Sequence, residues 1–239
     1  MTEWNLKNIK STIGGMSAED PLRFPQELEE RIEEYALGYL HQGRAEWDEP
    51  HTRAVTFYAG EIAMAEGLDV LAIRAAAWLH DIGCIKDRNK HHEISASLLL
   101  GNTSLVEILT EKYAICLKYI ILAHRARYPI EDVPKDHENI RLRMICAIFR
   151  LMDACEICYP KCPSAVYEVI KDSLNEKARQ VWIGHKNILD LKFNKPEIRI
   201  FVNEIDKCQF MIDDLNMEIS TIRDTFEEND IPVPIVRTI

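Results

Sequence analysis

Four residues of this sequence carry the side chains that proteins use to bind a divalent metal ion: His51, the adjacent pair His80-Asp81, and Asp153. The pair ends an almost wholly apolar run, 71–79, which predicts a buried helix. Asp153 interrupts a second apolar run, 144–154, where an unpaired carboxylate would be costly to bury. Taken alone, the pair also fits a hydrogen-bonded core histidine beside a helix-end aspartate. The four residues together predict a site for Mn, Fe, Co, Ni, Zn or, less comfortably, Mg.

In their order and spacing, these residues resemble the HD-domain superfamily of metal-dependent phosphohydrolases. The signature of that superfamily is a histidine, then a His-Asp pair, then a distant aspartate, all on the helices of a bundle. The local sequence is similar as well, with HTRAV at 51–55 and AWLHDIG at 77–83, and the resemblance covers roughly residues 45–160. It implies a helical fold in which His51, His80, Asp81 and Asp153 hold the metal. It also implies hydrolysis of a phosphate ester or anhydride, in a nucleotide or related metabolite, by a metal-activated water.

Two further histidines resemble the additional ligands of two-metal members of the superfamily. His91 lies four residues before Ser95 and is the better match, with His92 as the second choice, and His124 ends an apolar helix. Asp81 would then bridge two ions. Either histidine could instead bond phosphate or solvent at the mouth of the pocket, so the sequence predicts one or two metal ions.

Candidate groups for the chemistry follow from the same motifs. The resemblance implies Asp81 and His80 as catalytic residues, and Glu93 is an alternative acceptor for the proton of the attacking water. Arg150 lies three residues before Asp153, so both project from one face of a helix. Candidate phosphate contacts are Arg150, Lys86, Arg125 and Arg127, although each could equally be an ordinary ion-pair or surface residue.

Three other functions are weighed against this one. Relatives that cleave cyclic dinucleotides have a lysine directly after the HDIG run, whereas Cys84 stands there in this sequence, so that activity is not assigned. The additional histidines leave open a di-iron, oxygenase-type HD enzyme. A non-catalytic HD domain that senses nucleotides is the third alternative.

The elements that must position these residues are mainly helices. Apolar residues recur with helical spacing at about 26–40, 50–66, 70–82, 91–101, 104–124, 139–156 and 164–174. Asp69 is the predicted N-cap of the third of these helices. Alternating apolar residues at 187–193 and 197–202 predict a β-hairpin, and a long amphipathic helix follows at about 204–227. Pro232 and Pro234 exclude a helix in the tail. The predicted fold is a mainly α, HD-type helical bundle with a small C-terminal β-hairpin and a long closing helix.

Three segments are predicted. Residues 1–24 are an N-terminal arm, 25–175 are the helical metal-binding domain, and 176–239 are a hairpin-plus-helix extension packed on the same core. The long closing helix could also pack against a second subunit, which leaves a homodimer open.

The overall composition limits which binding partners and which cellular compartment the sequence predicts. A formal net charge of −10 over 239 residues argues against nonspecific nucleic-acid binding but not against a small phosphorylated metabolite or nucleotide. The sequence has no run of 18 apolar residues and no signal-type N-terminus, which predicts a cytoplasmic protein without membrane association. Its seven cysteines are then expected as reduced thiols. Cys155, Cys158 and Cys162 contain one Cys-x-x-Cys pair, too little for a closed metal cluster.

Overall fold

The computed structural model describes residues 24–42, 48–101, 105, 109–158 and 161–239. The predicted arm therefore lies outside the described residues, apart from residue 24. In chain order the helices are α1 (Gln26–Gln42), α2 (Asp48–Ala65), α3 (Val70–Leu79), α4 (His91–Gly101), α5 (Glu111–Ala123), α6 (Leu142–Cys155), α7 (Ser164–Ile170), α8 (Glu176–Asn187) and α9 (Ile205–Glu228). The strands are β1 (Ile188–Asn194), β2 (Glu197–Val202) and β3 (Ile235–Thr238). The prediction of a mainly helical fold with a small C-terminal sheet and a long final helix is confirmed.

Helix α3 forms the centre of the bundle, in contact with α1, α2 and α5. Nine of its ten residues are apolar, the exception being the partly exposed Arg74, and seven are buried: Ala72, Ile73, Ala75, Ala76, Ala77, Trp78 and Leu79. Asp69 caps its first turn by accepting a hydrogen bond from the backbone N–H of Ala72 at 2.9 Å, as the sequence predicts. Because α3 is buried and capped, its end is a fixed point from which His80 and Asp81 project.

The end of α3 differs from the predicted bounds, 70–82. The α-helix stops at Leu79, and a short 3-10 turn follows at Ile82–Ile85. Gly83 lies in that turn because a Cβ there would come within 2.4 Å of the carbonyl oxygen of His91. Glycine thus lets the start of α4 approach the His-Asp pair closely.

The C-terminal part contains two elements that the sequence analysis does not predict. Helix α8 begins after Asn175, whose side chain accepts from the backbone N–H of Ala178 at 2.9 Å. Strand β3 pairs parallel to β2, which itself pairs antiparallel to β1, giving a three-stranded sheet in the order β1-β2-β3. The predicted hairpin and closing helix are both observed, and α9 packs against α6 and α8.

Two helices are shorter in the structure than the sequence analysis predicts. The predicted helix 104–124 is observed as α5 from Glu111 onward, and residues 102–104 and 106–108 lie outside the described residues. The predicted helix 164–174 is α7 followed by a 3-10 turn at Lys171–Ser173. Among the helices that the structure describes, we find none with the length and apolar character needed to cross a membrane.

Candidate metal centre

Three of the predicted ligands meet in a first group, although they come from α2, the end of α3 and α6. The Nε2 atom of His51 lies 3.0 Å from Asp153 Oδ1 and 3.2 Å from His80 Nε2. His80 Nε2 lies 3.6 Å from the same aspartate oxygen. His51 and His80 are buried, at 6% and 0% exposure. The three ligand atoms lie within 4.8 Å of one another, close enough for one ion to contact all of them.

A second group forms beside the first from Asp81, His91 and His124. Asp81 Oδ1 is 3.2 Å from His91 Nε2, which is 2.9 Å from His124 Nε2. The other oxygen of Asp81, Oδ2, lies 3.6 Å from His80 Nε2 and 3.7 Å from His51 Nε2. Asp81 thus presents one oxygen to each group. His92, the second choice from the sequence, is buried but belongs to neither group.

The hydrogen bonds of the four histidines determine which nitrogen faces the centre. The Nδ1 atoms of His80, His91 and His124 lie 2.7, 2.6 and 2.5 Å from the backbone carbonyls of Ala77, Arg88 and Ile121, so each imidazole donates through Nδ1–H. His51 Nδ1 lies 3.1 Å from the carboxylate of Glu156. A neutral imidazole that donates through Nδ1 has an unshared electron pair on Nε2.

These electron pairs converge in two places. The Nε2 atoms approach each other in pairs, His51 with His80 and His91 with His124, and two acceptors cannot hydrogen-bond to one another. A proton or a cation between them removes the repulsion. With carboxylate oxygens completing each set, the donors are those that borderline divalent metals prefer. The residues therefore fit divalent cations at both groups.

The buried ionisable groups of the site shift one another's pKa values. Burial and Lys161 would each lower the pKa of His51, but Asp153 and Glu156 outweigh them and raise it to about 9. Burial would raise the pKa of Asp81 and Asp153, yet the surrounding imidazoles hold both below the usual carboxyl range. Burial lowers the pKa of His124 to about 3. The carboxylates are therefore ionised and His124 is neutral, as metal ligation requires. Burial would lower the pKa of His80 as well, but Asp81 and Asp153 raise it, so a cation in the first group would displace protons from His51 and His80.

Glu156 and Lys161 belong to the site, and the motif analysis does not identify them. Glu156 follows α6 directly, and its Oε2 contacts both His51 Nδ1, at 3.1 Å, and Lys161 Nζ, at 2.8 Å. Lys161 Nζ also lies 3.2 Å from His51 Nδ1. A carboxylate behind a metal-binding histidine orients the ring and increases its basicity. The only sequence signal for Glu156 is its position three residues after Asp153.

The two groups open into one cavity of about 450 Å³. Five members of the two groups line it: His51, Asp81, His91, His124 and Asp153. Its cationic residues are Arg88, Arg125 and Lys161. Helices α8 and α9 complete it with Val181, His185, Phe210, Met211, Asp214, Leu215 and Glu218. An anion held by the cations would thus lie in the same chamber as the metal ligands.

The predicted phosphate contacts occupy different positions. Arg125 lines the cavity, whereas its lining includes neither Lys86 nor Arg127, both exposed residues. Glu93 also lies outside the lining, with its side chain 63% exposed. His80 is completely buried behind its neighbours, so it can serve as a ligand but does not face the open chamber.

Arg150 is buried and outside the cavity lining. Its guanidinium donates to the carbonyl oxygens of Ala123 at 2.6 Å and Tyr128 at 2.7 Å, and to the Thr221 hydroxyl at 3.0 Å. These bonds tie the segment after His124 to α6 and α9. The geometry therefore gives Arg150 a structural role in fixing His124.

The three clustered cysteines are free thiols. Burial raises the pKa of Cys158 to about 12 and that of Cys162 to about 11, which disfavours the thiolate form that metals bind. Within the described parts of the chain, the converging groups of metal-capable side chains contain no cysteine.

A helical bundle that gathers a histidine, a His-Asp pair and a distant aspartate around one cavity is an HD-type domain. A family model described as HD-CE matches residues 15–228, and the chain belongs to this family. No curated protein shows significant similarity to the chain.

Proposed function

We propose that this protein is a metal-dependent phosphohydrolase that cleaves a phosphate ester or anhydride of a nucleotide or related metabolite. The observation that carries the proposal is that two clusters of imidazole and carboxylate side chains meet at Asp81. The cavity beside them also contains three cationic side chains. A site for phosphoryl transfer needs positive charge on both sides of the reacting phosphorus, and this arrangement can supply it.

The six candidate ligands divide into two sets, one for each proposed cation. His51, His80 and Asp153 would hold one cation, His91 and His124 a second, and Asp81 would contact both. Bound there, such cations supply Lewis-acid charge to phosphoryl oxygens and make water more acidic. Each imidazole is already oriented by its Nδ1–H bond, so little rearrangement is needed on binding.

The side chains of the cavity would bind the phosphate and accept the proton of water. Arg88 and Arg125 would hold the phosphoryl oxygens and neutralise their charge, whereas Lys161 is paired with Glu156. Asp81, which lies between the two groups, is the proposed acceptor for the proton of water. Glu93 is less suitable for that role because its carboxylate faces solvent outside the cavity.

The experiment is a turnover screen on protein loaded separately with Mn, Fe, Co, Ni, Zn or Mg, with release of inorganic phosphate from nucleotides and simple phosphate esters as the readout. We expect metal-dependent release that falls at least about 1000-fold in Asp81→Ala and His80→Ala. Undiminished turnover in those variants would overturn the proposal.

Oxygen consumption measured on the iron-loaded protein separates the di-iron alternative from hydrolysis. Oxidation of the substrate without phosphate release would favour that alternative. Tight nucleotide binding without any turnover would favour a sensor domain instead.

A further inference from the structure

Part of the cavity wall comes from the C-terminal helices, and it combines apolar and acidic residues. On α9, Met211, Leu215 and Glu218 recur at helical spacing and line the chamber together. Helix α8 packs closely against this part of α9, because a Cβ at Gly184 would come within 2.6 Å of Met211 Sδ. The wall is thus held by direct packing between two helices.

Glu218 is the unusual residue of this wall. Its Oε2 atom is buried and has no hydrogen-bond partner among the described residues. Burial raises the pKa of the carboxyl group, and the charges of Asp153 and Asp214 raise it further, although Arg150 and Arg125 act in the opposite direction. A buried polar atom without a partner costs free energy, so such an atom beside a ligand cavity calls for an explanation.

The position of Glu218 defines the chemistry that could satisfy it. A carboxylate repels phosphate, and phosphate has better partners in Arg88 and Arg125. A hydroxyl or amino group on the uncharged part of a substrate can donate a hydrogen bond to a carboxylate oxygen. The terminal torsion of a glutamate is broad and roughly two-fold, so rotation about it can exchange the positions of the two carboxylate oxygens.

We propose that Glu218 is a specificity-determining residue that accepts a hydrogen bond from a hydroxyl or amino group on the non-phosphate part of the substrate. Met211 and Leu215 cover an apolar face of that same part, while its phosphate lies at the cationic and metal-binding end. This inference rests on the proposed function and extends it to the substrate class. Sugar hydroxyls and the amino group of a nucleobase share this chemistry.

The test compares matched substrates in variants of the metal-loaded, full-length protein. The substrates are ribonucleoside monophosphates, their 2′-deoxy forms, purine riboside monophosphate, which lacks the amino group of adenosine monophosphate, and p-nitrophenyl phosphate, which lacks both donors. The variants are Glu218→Leu, which has no acceptor, and Glu218→Gln, which keeps one. The matched control is Asp213→Asn, an exposed position of the same helix whose carboxylate bonds only to Gln209 among the described residues.

For Glu218→Leu we expect the ratio of kcat/KM for the best nucleotide to that for p-nitrophenyl phosphate to fall about 10- to 100-fold. Glu218→Gln should retain part of that ratio, and Asp213→Asn should keep the wild-type ratio. A preference lost with the 2′-deoxy substrate identifies the hydroxyl as the donor, and one lost with purine riboside monophosphate identifies the amino group.

An unchanged ratio in Glu218→Leu would overturn the inference, as would a wild-type protein that does not prefer any donor-bearing substrate. If no compound releases phosphate, the proposed function fails, and calorimetric titration of the same nucleotides decides the inference by itself. Equal affinity for wild type and Glu218→Leu would then contradict it, and metal content checks that the variants fold.

Discussion

The Glu156 carboxylate lies 3.1 Å from Nδ1 of His51, on the side of the imidazole opposite the ligand group. It accepts the Nδ1–H bond and leaves Nε2 directed at Asp153 and His80. The two residues are 105 positions apart in the chain, so tertiary packing alone brings them together.

Loss of this carboxylate should weaken metal binding without removing a ligand. We expect Glu156→Gln to lower metal affinity about 10-fold and Glu156→Ala up to about 100-fold, because the ring of His51 loses its orientation and part of its basicity. Isothermal titration with Mn or Zn measures this. Glu168→Gln is the control, since that glutamate pairs only with Lys171 at the surface, among the described residues. Equal affinity in Glu156→Ala and the control would contradict the prediction.

The two ligand groups should lose their ions separately. His124→Ala removes a ligand of the second group only, so metal content should fall from two ions per chain to one. Asp81→Ala removes the carboxylate that contacts both groups and should reduce the content towards zero. Elemental analysis after gel filtration gives the stoichiometry. Wild-type protein that holds one ion at metal saturation would refute the two-ion arrangement.

Gly83→Ala tests the close approach of α4 to the His-Asp turn. The new Cβ would lie 2.4 Å from the backbone oxygen of His91, so the start of α4 must shift and carry His91 away from Asp81. We expect a loss of stability of about 2–4 kcal/mol, together with weaker binding of the second ion. Gly101→Ala provides the control, because a Cβ there meets nothing within 4 Å. Similar urea denaturation midpoints and metal contents for the two variants would disprove the steric explanation.

Arg150→Met tests the structural role of the buried guanidinium. The substitution leaves the carbonyls of Ala123 and Tyr128 without their donor, and we expect a loss of about 3–5 kcal/mol in the free energy of unfolding. Arg223→Met, at an exposed position of α9, should cost less than about 1 kcal/mol. Chemical denaturation measures both values. A stable Arg150→Met protein with a strongly raised KM would instead indicate a substrate contact.

His185 should make stability depend on pH. Burial first, and then Lys161, lower its pKa from an ordinary 6.5 to about 4, against the opposing hydrogen bond to the Ile157 carbonyl. Between those pH values the unfolded chain binds more protons than the folded one, so this contribution is complete above pH 6.5 and is lost as the pH falls.

His185→Asn keeps a donor for Ile157 but does not titrate. The stability difference between wild type and this variant should therefore change by roughly 3 kcal/mol between pH 7 and pH 4. Urea denaturation at several pH values gives this difference, and the other histidines cancel because both proteins contain them. A difference that stays constant with pH would show that His185 titrates normally.

Much of the fold follows from local patterns in the sequence. The apolar run 71–79 with Asp69 before it predicts α3 and its cap, and alternation around 194–196 predicts the hairpin. The sequence does not predict helix α8 because its apolar positions are sparse, and only three of its residues are buried. It does not predict strand β3 because a four-residue strand depends on β2 as a partner rather than on its own sequence.

By itself, the sequence determined which side chains can bind metal and in what order they occur, because ligand chemistry belongs to residue types and helical spacing is local. The tertiary structure decided how they are used. It divided six candidate ligands into two groups with Asp81 facing both, placed Glu156 and Lys161 behind His51, and directed Arg150 to backbone carbonyls. Such contacts join residues far apart in the chain, and no local pattern encodes which partner a buried charge will meet.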